Sequence, residues 1–495
     1  MNERLVIDDI DYLVTCDPQN RVLRDASIAI EGGKVVEIGS SGSLQGTRSF
    51  SAQGRMITPG LINTHTHLAM TLLRGWAEGV DLDGFLKRVW AAEGAIMDEA
   101  TCKLGTELGA LEAILSGTTT ALDMYLHPQA THQGAVRVGL RHIAGPIFFD
   151  FPGLDSLQWP DRIAFAKSWP MRLAEIGGPW VPTYLMPHST YTDSPEHLHE
   201  ISELAKELDA FIHLHVSETL AENADVQGRY QKSPVEILER SGILDRHTIY
   251  GHGVHLSDSD IAITAKHKGA VAHCPGSNMK LGSGLADITT FLESGVKVGI
   301  GTDGCSSSND LDMWQAMRMA AHLIAIKRSP SKVDASAIFR LATIDGARAL
   351  NISEQVGSIE VGRCADLIAI DVAKPHLTPI HDIFALLVFA VGRGDVTDVW
   401  VDGDHVAGHP HPSPVQIAAH RSAVPNGSEL APSLRLLIRA LSDCAGIDLG
   451  LAHHGCGVPV WGQQVGPIKG AITAPTQSPG QSGGSTCKEQ TICYT

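Results

Sequence analysis

The stretch PGLINTHTHLAM (residues 59–70) is decisive for the fold, because an apolar segment leads directly into the pair His65 and His67. In a β-strand, residues i and i+2 point to the same face, so both imidazoles can reach one metal ion from the end of one strand. Imidazole is a favoured ligand of Zn²⁺ and of divalent iron, nickel and copper. Two histidines at this spacing also occur in ordinary cores and on surfaces, so the rest of the chain has to supply the context.

Eight strand-like runs alternate with helical segments along the middle of the chain. The runs occupy residues 56–65, 117–124, 141–149, 180–188, 211–216, 248–253, 269–274 and 296–303. Helical periodicity lies between most of them, as in EATCKLGTELGALEAILSG (99–117). This alternation predicts an α/β fold, a TIM-like (β/α)8 barrel over residues 56–361 with its active site at the carboxyl ends of the strands.

Two β-rich segments flank the predicted barrel. Residues 1–55 contain short strand patterns with a hairpin signal at Gly32-Gly33, and similar patterns return in residues 362–410. We expect the two segments to form one small β-sandwich built from both ends of the chain. Residues 411–495 are rich in Pro, Gly and Ser with little periodicity, and we expect them to form an irregular, poorly ordered tail.

The composition excludes several classes of protein and partner. With 43% hydrophobic and 19% charged residues, the chain can bury a large core and does not have the composition of a disordered protein. The net charge of −17 disfavours nucleic acid and anionic membranes as partners. No signal-peptide pattern opens the sequence, no apolar stretch reaches the length of a membrane span, and the nine cysteines lack metal-finger spacing. These features predict a cytoplasmic protein with reduced cysteines.

Polar residues occur at the ends of five of the predicted barrel strands. They are His65 and His67 on the first, His188 on the fourth, His215 with Glu218 on the fifth, His252 on the sixth and Asp303 on the eighth. A barrel brings its carboxyl strand ends together in one ring, so these side chains are expected to converge. A single histidine at a strand end is more often a structural or supporting residue. That interpretation is given to His142, His213, His255 and His273.

The converging side chains suit metal-assisted hydrolysis. Three imidazoles and one carboxylate form a ligand set for one divalent ion with an open position for water: His65, His67, His215 and Asp303. Such a metal lowers the pKa of its water towards neutrality. His252 is then placed to bind or deprotonate the water, Asp303 to shuttle its proton, and Glu218 to protonate the substrate.

Further motifs carry a resemblance to a known family. They are MPHSTY (186–191), HVSET (215–219), GHGVHL (251–256), AHCPGSNMKLGSG (272–284) and GTDGCSSSNDLDM (301–313). Over about residues 1–406 the sequence resembles the amidohydrolase superfamily, and more narrowly the 5-methylthioadenosine/S-adenosylhomocysteine deaminases of its chlorohydrolase-like branch. The resemblance implies one divalent ion, zinc or in some relatives iron, on His65, His67, His215 and Asp303. It also implies that His252 holds the attacking water and that Glu218 protonates a ring nitrogen.

The resemblance also implies a set of substrate contacts. The expected residues are Glu93, His188, Glu218, Asp303 and Arg162. Glu93 matches a glutamate that binds ribose hydroxyls, and Arg162 corresponds loosely to an arginine near the amino-acid tail of the larger substrate. Where relatives have another arginine after strand three, this chain reads AGPIFFD (144–150). That departure weakens the case for recognition of a homocysteine carboxylate.

Three functions are compatible with the sequence. The first is hydrolytic deamination of an adenine nucleoside, such as 5′-methylthioadenosine or S-adenosylhomocysteine, to the inosine analogue and ammonia. The second keeps the chemistry for another substrate, namely guanine, an oxidised purine, a pyrimidine or an s-triazine, although a ribose-binding Glu93 has no role with a free base. The third, a non-catalytic barrel scaffold, is disfavoured because no metal ligand is missing. We expect a small-molecule substrate, no nucleic-acid or membrane partner, and a homo-oligomer.

Overall fold

The computed structural model describes residues 3–408. These residues form an α/β barrel and a mixed sheet that draws strands from both ends of the described chain. The tail predicted for residues 411–495 lies outside the described residues, as do the last two positions of the predicted segment 362–410. Among the helices of residues 3–408, none has the length and apolar character needed to cross a membrane.

The described part of the chain contains the following elements. The strands are β1 (Arg4–Val14), β2 (Val22–Glu31), β3 (Lys34–Ser40), β4 (Arg48–Ser51), β5 (Arg55–Pro59), β6 (Leu61–Thr66), β7 (Thr118–Asp123), β8 (Arg141–Ala144), β9 (Ile147–Phe148), β10 (Tyr184–Pro187), β11 (Phe211–Val216), β12 (Thr248–His252), β13 (Ala270–His273), β14 (Lys297–Ile300), β15 (Leu367–Asp371), β16 (Val396–Val401) and β17 (Asp404–Gly408). The α-helices are α1 (Leu82–Ile96), α2 (Glu99–Leu115), α3 (Pro128–Val138), α4 (Trp159–Ile176), α5 (Pro195–Glu207), α6 (Leu220–Tyr230), α7 (Pro234–Arg240), α8 (Asp258–Lys266), α9 (Pro275–Lys280), α10 (Ile288–Glu293), α11 (Cys305–Ser308), α12 (Met313–Lys327), α13 (Ala335–Leu341), α14 (Ile344–Ala349) and α15 (Ile383–Phe389). Short 3-10 helices lie at Leu68–Leu73, Ile243–Asp245, Pro330–Lys332, Pro375–Leu377 and Arg393–Asp395.

Eight strand positions with parallel neighbours form the barrel. Strands β6, β7 and β8 pair in one sheet, and β9 to β14 pair in a second, six-stranded sheet. Gly145 and Pro146 separate β8 from β9, which follow each other along one strand position. At the other junction, the backbone N–H of Asp303 donates to the carbonyl of His65 over 3.0 Å. The predicted α/β barrel class is confirmed, and each of the eight strand-like runs overlaps a barrel strand.

The helices pack apolar faces against the strands, and α5 shows how its sequence specifies this. Ser194 caps its first turn by accepting a hydrogen bond from the backbone N–H of His197, and Pro195 occupies the first helical position, where no N–H is needed. Its buried residues recur at helical spacing: Leu198, Ile201, Ser202, Leu204 and Ala205. One stripe of the helix therefore covers the barrel while the opposite face contacts solvent.

The mixed sheet outside the barrel has the strand order β17-β16-β15-β5-β1-β2-β3, with β4 beside β1. As predicted, β2 and β3 form a hairpin at Gly32 and Gly33. The hairpin also pairs with the later segment, because the backbone N–H of Val35 donates to the carbonyl of Arg363 over 2.9 Å. The strands of this sheet contribute side chains to a separate hydrophobic core, which includes residues of β1, β2, β3, β5, β15 and β16. Both ends of the described chain thus share one core.

The strand-like run 56–65 is divided between the mixed sheet and the barrel. Residues Arg55–Pro59 form β5 and pair with β15 and β1, whereas β6 begins at Leu61 in the barrel. Gly60 lies at the junction, where a Cβ atom would come within 2.1 Å of the Thr119 hydroxyl oxygen. The run is apolar on both sides of Gly60, so its pattern alone did not indicate the change of sheet.

Candidate active site

Four predicted metal ligands come together at the carboxyl ends of three barrel strands. His65 lies near the end of β6 and His67 directly follows that strand, His215 lies near the end of β11, and Asp303 follows β14. Oδ1 of Asp303 lies 3.4 Å from Nε2 of His65 and 3.1 Å from Nε2 of His67. Nε2 of His67 in turn lies 3.4 Å from Nε2 of His215. We call His65, His67, His215 and Asp303 the ligand cluster.

Backbone carbonyls orient two of the clustered imidazoles. Nδ1 of His67 lies 2.5 Å from the carbonyl oxygen of Met124, and Nδ1 of His215 lies 2.9 Å from that of His188. A carbonyl can only accept, so each ring carries its hydrogen on Nδ1 in these bonds. The lone pair of a neutral ring then lies on Nε2, which faces the other members of the cluster, as is usual for metal-binding histidines.

His213 supports the third imidazole. Its Nε2 lies 2.8 Å from Nδ1 of His65, and its own Nδ1 lies 3.0 Å from the carbonyl oxygen of Ile249. The carbonyl fixes the hydrogen on Nδ1 of His213, so Nε2 accepts from His65. The sequence pattern predicts His213 as a structural or supporting residue and not as a ligand. The spacing of His213 and His215, which repeats that of His65 and His67, is the signal for its supporting role.

The cluster fits one divalent metal ion. His65 is fully buried, yet its Nε2 has no hydrogen-bond partner among the described residues, since its approach to Asp303 lacks hydrogen-bond geometry. The potential ligand atoms of His65, His67 and Asp303 lie within 4.8 Å of one another. Imidazole nitrogens with one carboxylate oxygen form a usual ligand set for such an ion. A buried lone pair directed at this point is costly without a partner, and a cation would satisfy it.

Asp303 is held as a carboxylate in a left-handed backbone conformation with φ of 60°. Its Oδ1 accepts from the N–H of Gly304 and its Oδ2 from the hydroxyl of Ser307, each over 2.8 Å. Burial raises the pKa of Asp303, but the adjacent imidazoles of His65 and His67 outweigh it and hold the pKa well below its ordinary value. Asp303 therefore offers an ionised oxygen to the cluster.

Glu218 and His252 face each other beside the cluster. Oε2 of Glu218 lies 3.7 Å from Nε2 of His252, and the hydroxyl of Ser283 donates to Oε1 over 3.1 Å. Nδ1 of His252 bonds to the side-chain oxygen of Asn278 over 2.8 Å. Burial raises the pKa of Glu218. Burial lowers the pKa of His252, but the carboxylates of Glu218 and Asp303 outweigh it and leave that pKa raised.

Glu222 fixes the backbone around Glu218. Its two carboxylate oxygens accept the N–H groups of Ser217 and Glu218 over 2.9 Å and 2.7 Å. Burial raises the pKa of Glu222 to about 7. Sequence reasoning did not single out this residue, although a second glutamate four positions after Glu218 was visible in the chain.

Glu93 lies in the same cleft as the cluster. The cleft has about 910 Å³ of empty space, and its lining includes Glu93, Glu218, His252 and Asp303. Glu93 is buried on α1 and accepts a hydrogen bond from the hydroxyl of Tyr125 over 2.6 Å. Burial raises the pKa of Glu93 to about 7. Tyr125 is a further polar residue of the cleft that the sequence motifs did not identify.

His188 also lines the cleft, within a group of aromatic rings. Its ring centroid lies 5.3 Å from that of Phe149, 5.8 Å from that of Tyr191 and 6.2 Å from that of Trp90. Burial lowers the pKa of His188 to about 3, so the ring is neutral near physiological pH. A neutral imidazole can donate or accept a hydrogen bond with a substrate.

Arg162 occupies a different position from the other predicted residues. Its guanidinium binds the carboxylate of Asp155 through two nitrogens, over 2.9 Å and 2.6 Å, and donates to the carbonyl of Ile147 over 3.2 Å. It does not line the cleft that contains the ligand cluster but lies behind Gly153, which does. The structure thus brings the other eight predicted site residues together at one cleft and leaves Arg162 outside it.

Imidazoles and a carboxylate gathered at the carboxyl ends of parallel barrel strands define the class of metal-dependent α/β-barrel hydrolases. The sequence profile of the Amidohydrolase family matches residues 56–406. This match covers well over half of the chain, and the chain belongs to the amidohydrolase family.

Named relatives and a solved structure match most of the chain. A protein of Thermococcus onnurineus named 5-methylthioadenosine/S-adenosylhomocysteine deaminase is 39% identical over 391 residues, 78% of this chain and 90% of that protein. A protein of the same name from Desulforudis audaxviator is 37% identical over 382 residues, 76% of this chain and 88% of that protein. An adenosine deaminase from Xanthomonas campestris, solved with bound zinc, has a TM-score of 0.80 at 31% identity and covers 90% of this chain and 99% of its own.

Proposed function

We propose that this protein is a metal-dependent hydrolase that deaminates 5′-modified adenosines, such as 5′-methylthioadenosine or S-adenosylhomocysteine. The products are the inosine analogue and ammonia. The observation that carries the proposal is the position of Glu93 in one cleft with Glu218, His252 and the ligand cluster. Deamination needs a water nucleophile, an acid for the ring and a carrier for the proton that leaves with the amine. The deaminase names of the relatives at 37% and 39% identity support this choice of reaction.

The ligand cluster is proposed to hold one divalent ion through His65, His67, His215 and Asp303. Such an ion supplies Lewis acidity, which lets a water molecule ionise near neutral pH. His252 takes up the proton of that water at Nε2, since its pKa is raised and its Nδ1 is already engaged with Asn278. Asp303 then relays the proton towards the departing amino group.

Glu218 is proposed as the acid for the purine ring. Its raised pKa favours the protonated carboxyl group, which can deliver a proton to N1 as water attacks the adjacent C6. Protonation of N1 makes C6 a better electrophile, and loss of ammonia then leaves the carbonyl of the inosine product. Glu222 acts indirectly, by holding the backbone N–H groups of Ser217 and Glu218 in place.

Glu93 and His188 are proposed to bind the nucleoside itself. A carboxylate can accept hydrogen bonds from two vicinal hydroxyls, which ribose has and a free base lacks. The Tyr125 hydroxyl holds one oxygen of Glu93 in place for this contact. The neutral ring of His188 offers a further hydrogen bond in the same cleft. Arg162, which the sequence resemblance placed among the substrate contacts, is paired with Asp155 and does not line the cleft.

Ammonia release from a substrate panel tests the proposal. The panel contains adenosine, 5′-methylthioadenosine, S-adenosylhomocysteine, deoxyadenosine, adenine, guanine and a chlorotriazine. We expect the highest kcat/KM for a 5′-modified adenosine, with 5′-methylthioadenosine at least comparable to S-adenosylhomocysteine, and poor activity with adenine. Turnover of guanine or the triazine above that of every adenosine derivative would contradict the proposal.

The metal and the assembly are also proposed. We expect one zinc ion per chain, with iron as the alternative, and elemental analysis of purified protein measures both. Two metals per chain, or full activity without metal, would contradict the single site. A homo-oligomer and a cytoplasmic location stay predictions from the sequence. Light scattering checks the first, and fractionation of the source cells checks the second.

A further inference from the structure

The lining of the cleft includes an apolar surface. Helix α1 and the segment around residues 149–154 contribute its side chains. We call this surface the apolar wall: Leu82, Phe85, Leu86, Trp90, Phe151 and Leu154. Among the residues of the described chain that line the cleft, none is Lys or Arg. The acidic residues there include Glu93 and Glu218, and a carboxylate on a 5′ substituent would find no Lys or Arg partner in this lining.

The side chain of Arg162 lies buried behind one part of this lining. A Cβ atom on Gly153, which lines the cleft, would lie 2.6 Å from a terminal nitrogen of Arg162. Arg162 and Asp155 form a two-pronged ion pair in which both side chains are buried, 1% and 6% exposed. The guanidinium also donates to the carbonyl of Ile147 and lies over the ring of Phe149. The ion pair has almost no net charge, so Arg162 does not attract a negatively charged substituent into the cleft.

Resting on the proposed nucleoside deamination, we propose that this cleft selects adenosines with an uncharged 5′ substituent and that Asp155 determines this selectivity. Asp155 acts by neutralising Arg162 and holding it behind Gly153. An alkylthio or arylthio group loses little hydration free energy on leaving water. It gains apolar contact with the wall, including favourable contacts between sulfur and aromatic rings. A carboxylate would lose its hydration without gaining a free cation.

Two synthetic substrates of equal length test the selectivity of the wild-type protein. One is 5′-butylthio-5′-deoxyadenosine, and the other is 5′-(3-carboxypropyl)thio-5′-deoxyadenosine, in which a carboxylate replaces the terminal methyl group. We expect kcat/KM to be roughly tenfold or more higher for the butyl compound, mainly through KM, because the base and the ribose are the same. Equal or better use of the carboxylate compound would overturn the proposal.

Asp155→Asn tests the role of the ion pair. Asparagine keeps the shape and one accepting oxygen but leaves the charge of Arg162 unneutralised. We expect kcat/KM for the carboxypropyl compound to rise about tenfold, with a much smaller change for the butyl compound. Asp161→Asn is the matched control, because it removes the same charge from an exposed position next to Arg162. An unchanged preference in Asp155→Asn would overturn the role of Asp155, as would an equal shift in the control.

The double variant Asp155→Asn/Arg162→Gln separates charge from shape. It keeps a hydrogen-bonding pair without either charge, so we expect it to keep the preference of the wild type for the butyl compound. A gain for the carboxylate compound in this variant would overturn the proposal. If Asp155→Asn does not fold, the wild-type comparison and the double variant carry the test. Absence of deamination with every adenosine would instead contradict the proposed function, whereas turnover of all tails at one rate contradicts only the selectivity.

Discussion

At the ligand cluster, His67 and His215 are each fixed by a backbone carbonyl, whereas on the apolar wall Phe151 is 43% exposed and belongs to no helix or strand. The first region is built from strand ends, where the backbone sets the position of each side chain. The second is built from one helix and one irregular segment, whose side chains can change with little effect on the barrel. The comparison indicates that the reaction is set by the strands and the choice of substrate by the wall.

Removal of one ligand is the strongest test of the first region. We expect His215→Ala to lose the metal and to lower kcat by about 10⁴-fold or more, because metal-dependent hydrolysis loses its nucleophile. Metal content and ammonia release measure the two effects, and a chelator should abolish wild-type activity in the same way. His376→Ala, at a half-exposed position outside the cleft, is the control. Retention of metal with full activity in His215→Ala would remove this residue from the ligand set.

Glu218→Gln separates proton delivery from metal binding. The amide keeps the size of the side chain but cannot donate the proton of a carboxyl group. We expect the metal content to be unchanged and kcat to fall by about 10²–10⁴-fold. Glu203→Gln makes the same change at an exposed position on α5. Loss of the metal would make Glu218 a ligand, and unchanged turnover would exclude it as the acid.

The difference between the two regions also decides what the sequence could predict. Strand ends of a barrel converge by topology, so His65, His215 and Asp303 could be placed together although they are far apart in the chain. The position of Arg162 depends on the pairing of its side chain with Asp155, and no periodicity encodes such a pairing. The change from β5 to β6 at Gly60 depends on the close approach of the backbone to Thr119, which the sequence pattern does not reveal either.

Residues that orient the reacting groups could be predicted only in part from the sequence. His213 was visible as a repeat of the His-x-His spacing, but its bond to His65 follows from the distance between β6 and β11, which only the folded barrel sets. The contact of Tyr125 with Glu93 joins the end of β7 to α1, two elements whose relative position the sequence pattern does not give. Sequence motifs therefore identified the groups that react better than the groups that hold them.

Glu93 lies between the two regions, and its removal should affect nucleosides alone. We expect Glu93→Ala to lower kcat/KM for 5′-methylthioadenosine by about 10–10²-fold, because two ribose hydroxyls lose their acceptor. The weak activity with adenine should not change. Comparison of the two substrates in the same variant provides the control. An equal loss for both would place Glu93 in the support of the metal site.

The charge of Glu93 should also appear in the pH dependence of stability. Burial raises its pKa from the ordinary value of 4.5 to about 7, so the folded chain binds more protons than the unfolded chain in this interval. The contribution of Glu93 to the free energy of unfolding is fully present below its ordinary pKa of 4.5, and it is lost as pH rises through the folded-state pKa of about 7. Relative to wild type, Glu93→Gln should therefore gain stability between about pH 5 and pH 8, on the order of 1–3 kcal/mol. Thermal melts of both proteins at the two pH values measure this, and a parallel response would contradict the raised pKa.

Phe151→Ala tests the second region with the smallest expected effect. The ring is already partly exposed, so its loss should change stability little but should remove contact area for a 5′ substituent. We expect kcat/KM for 5′-butylthio-5′-deoxyadenosine to fall by about 3–10-fold, while adenosine, which has no such substituent, is nearly unaffected. Phe389→Ala is the matched control, because this ring is 40% exposed on α15 and does not line the cleft. An equal loss for both substrates would mean that Phe151 contacts the base or the sugar, and the wall would then contribute to binding without selecting the tail.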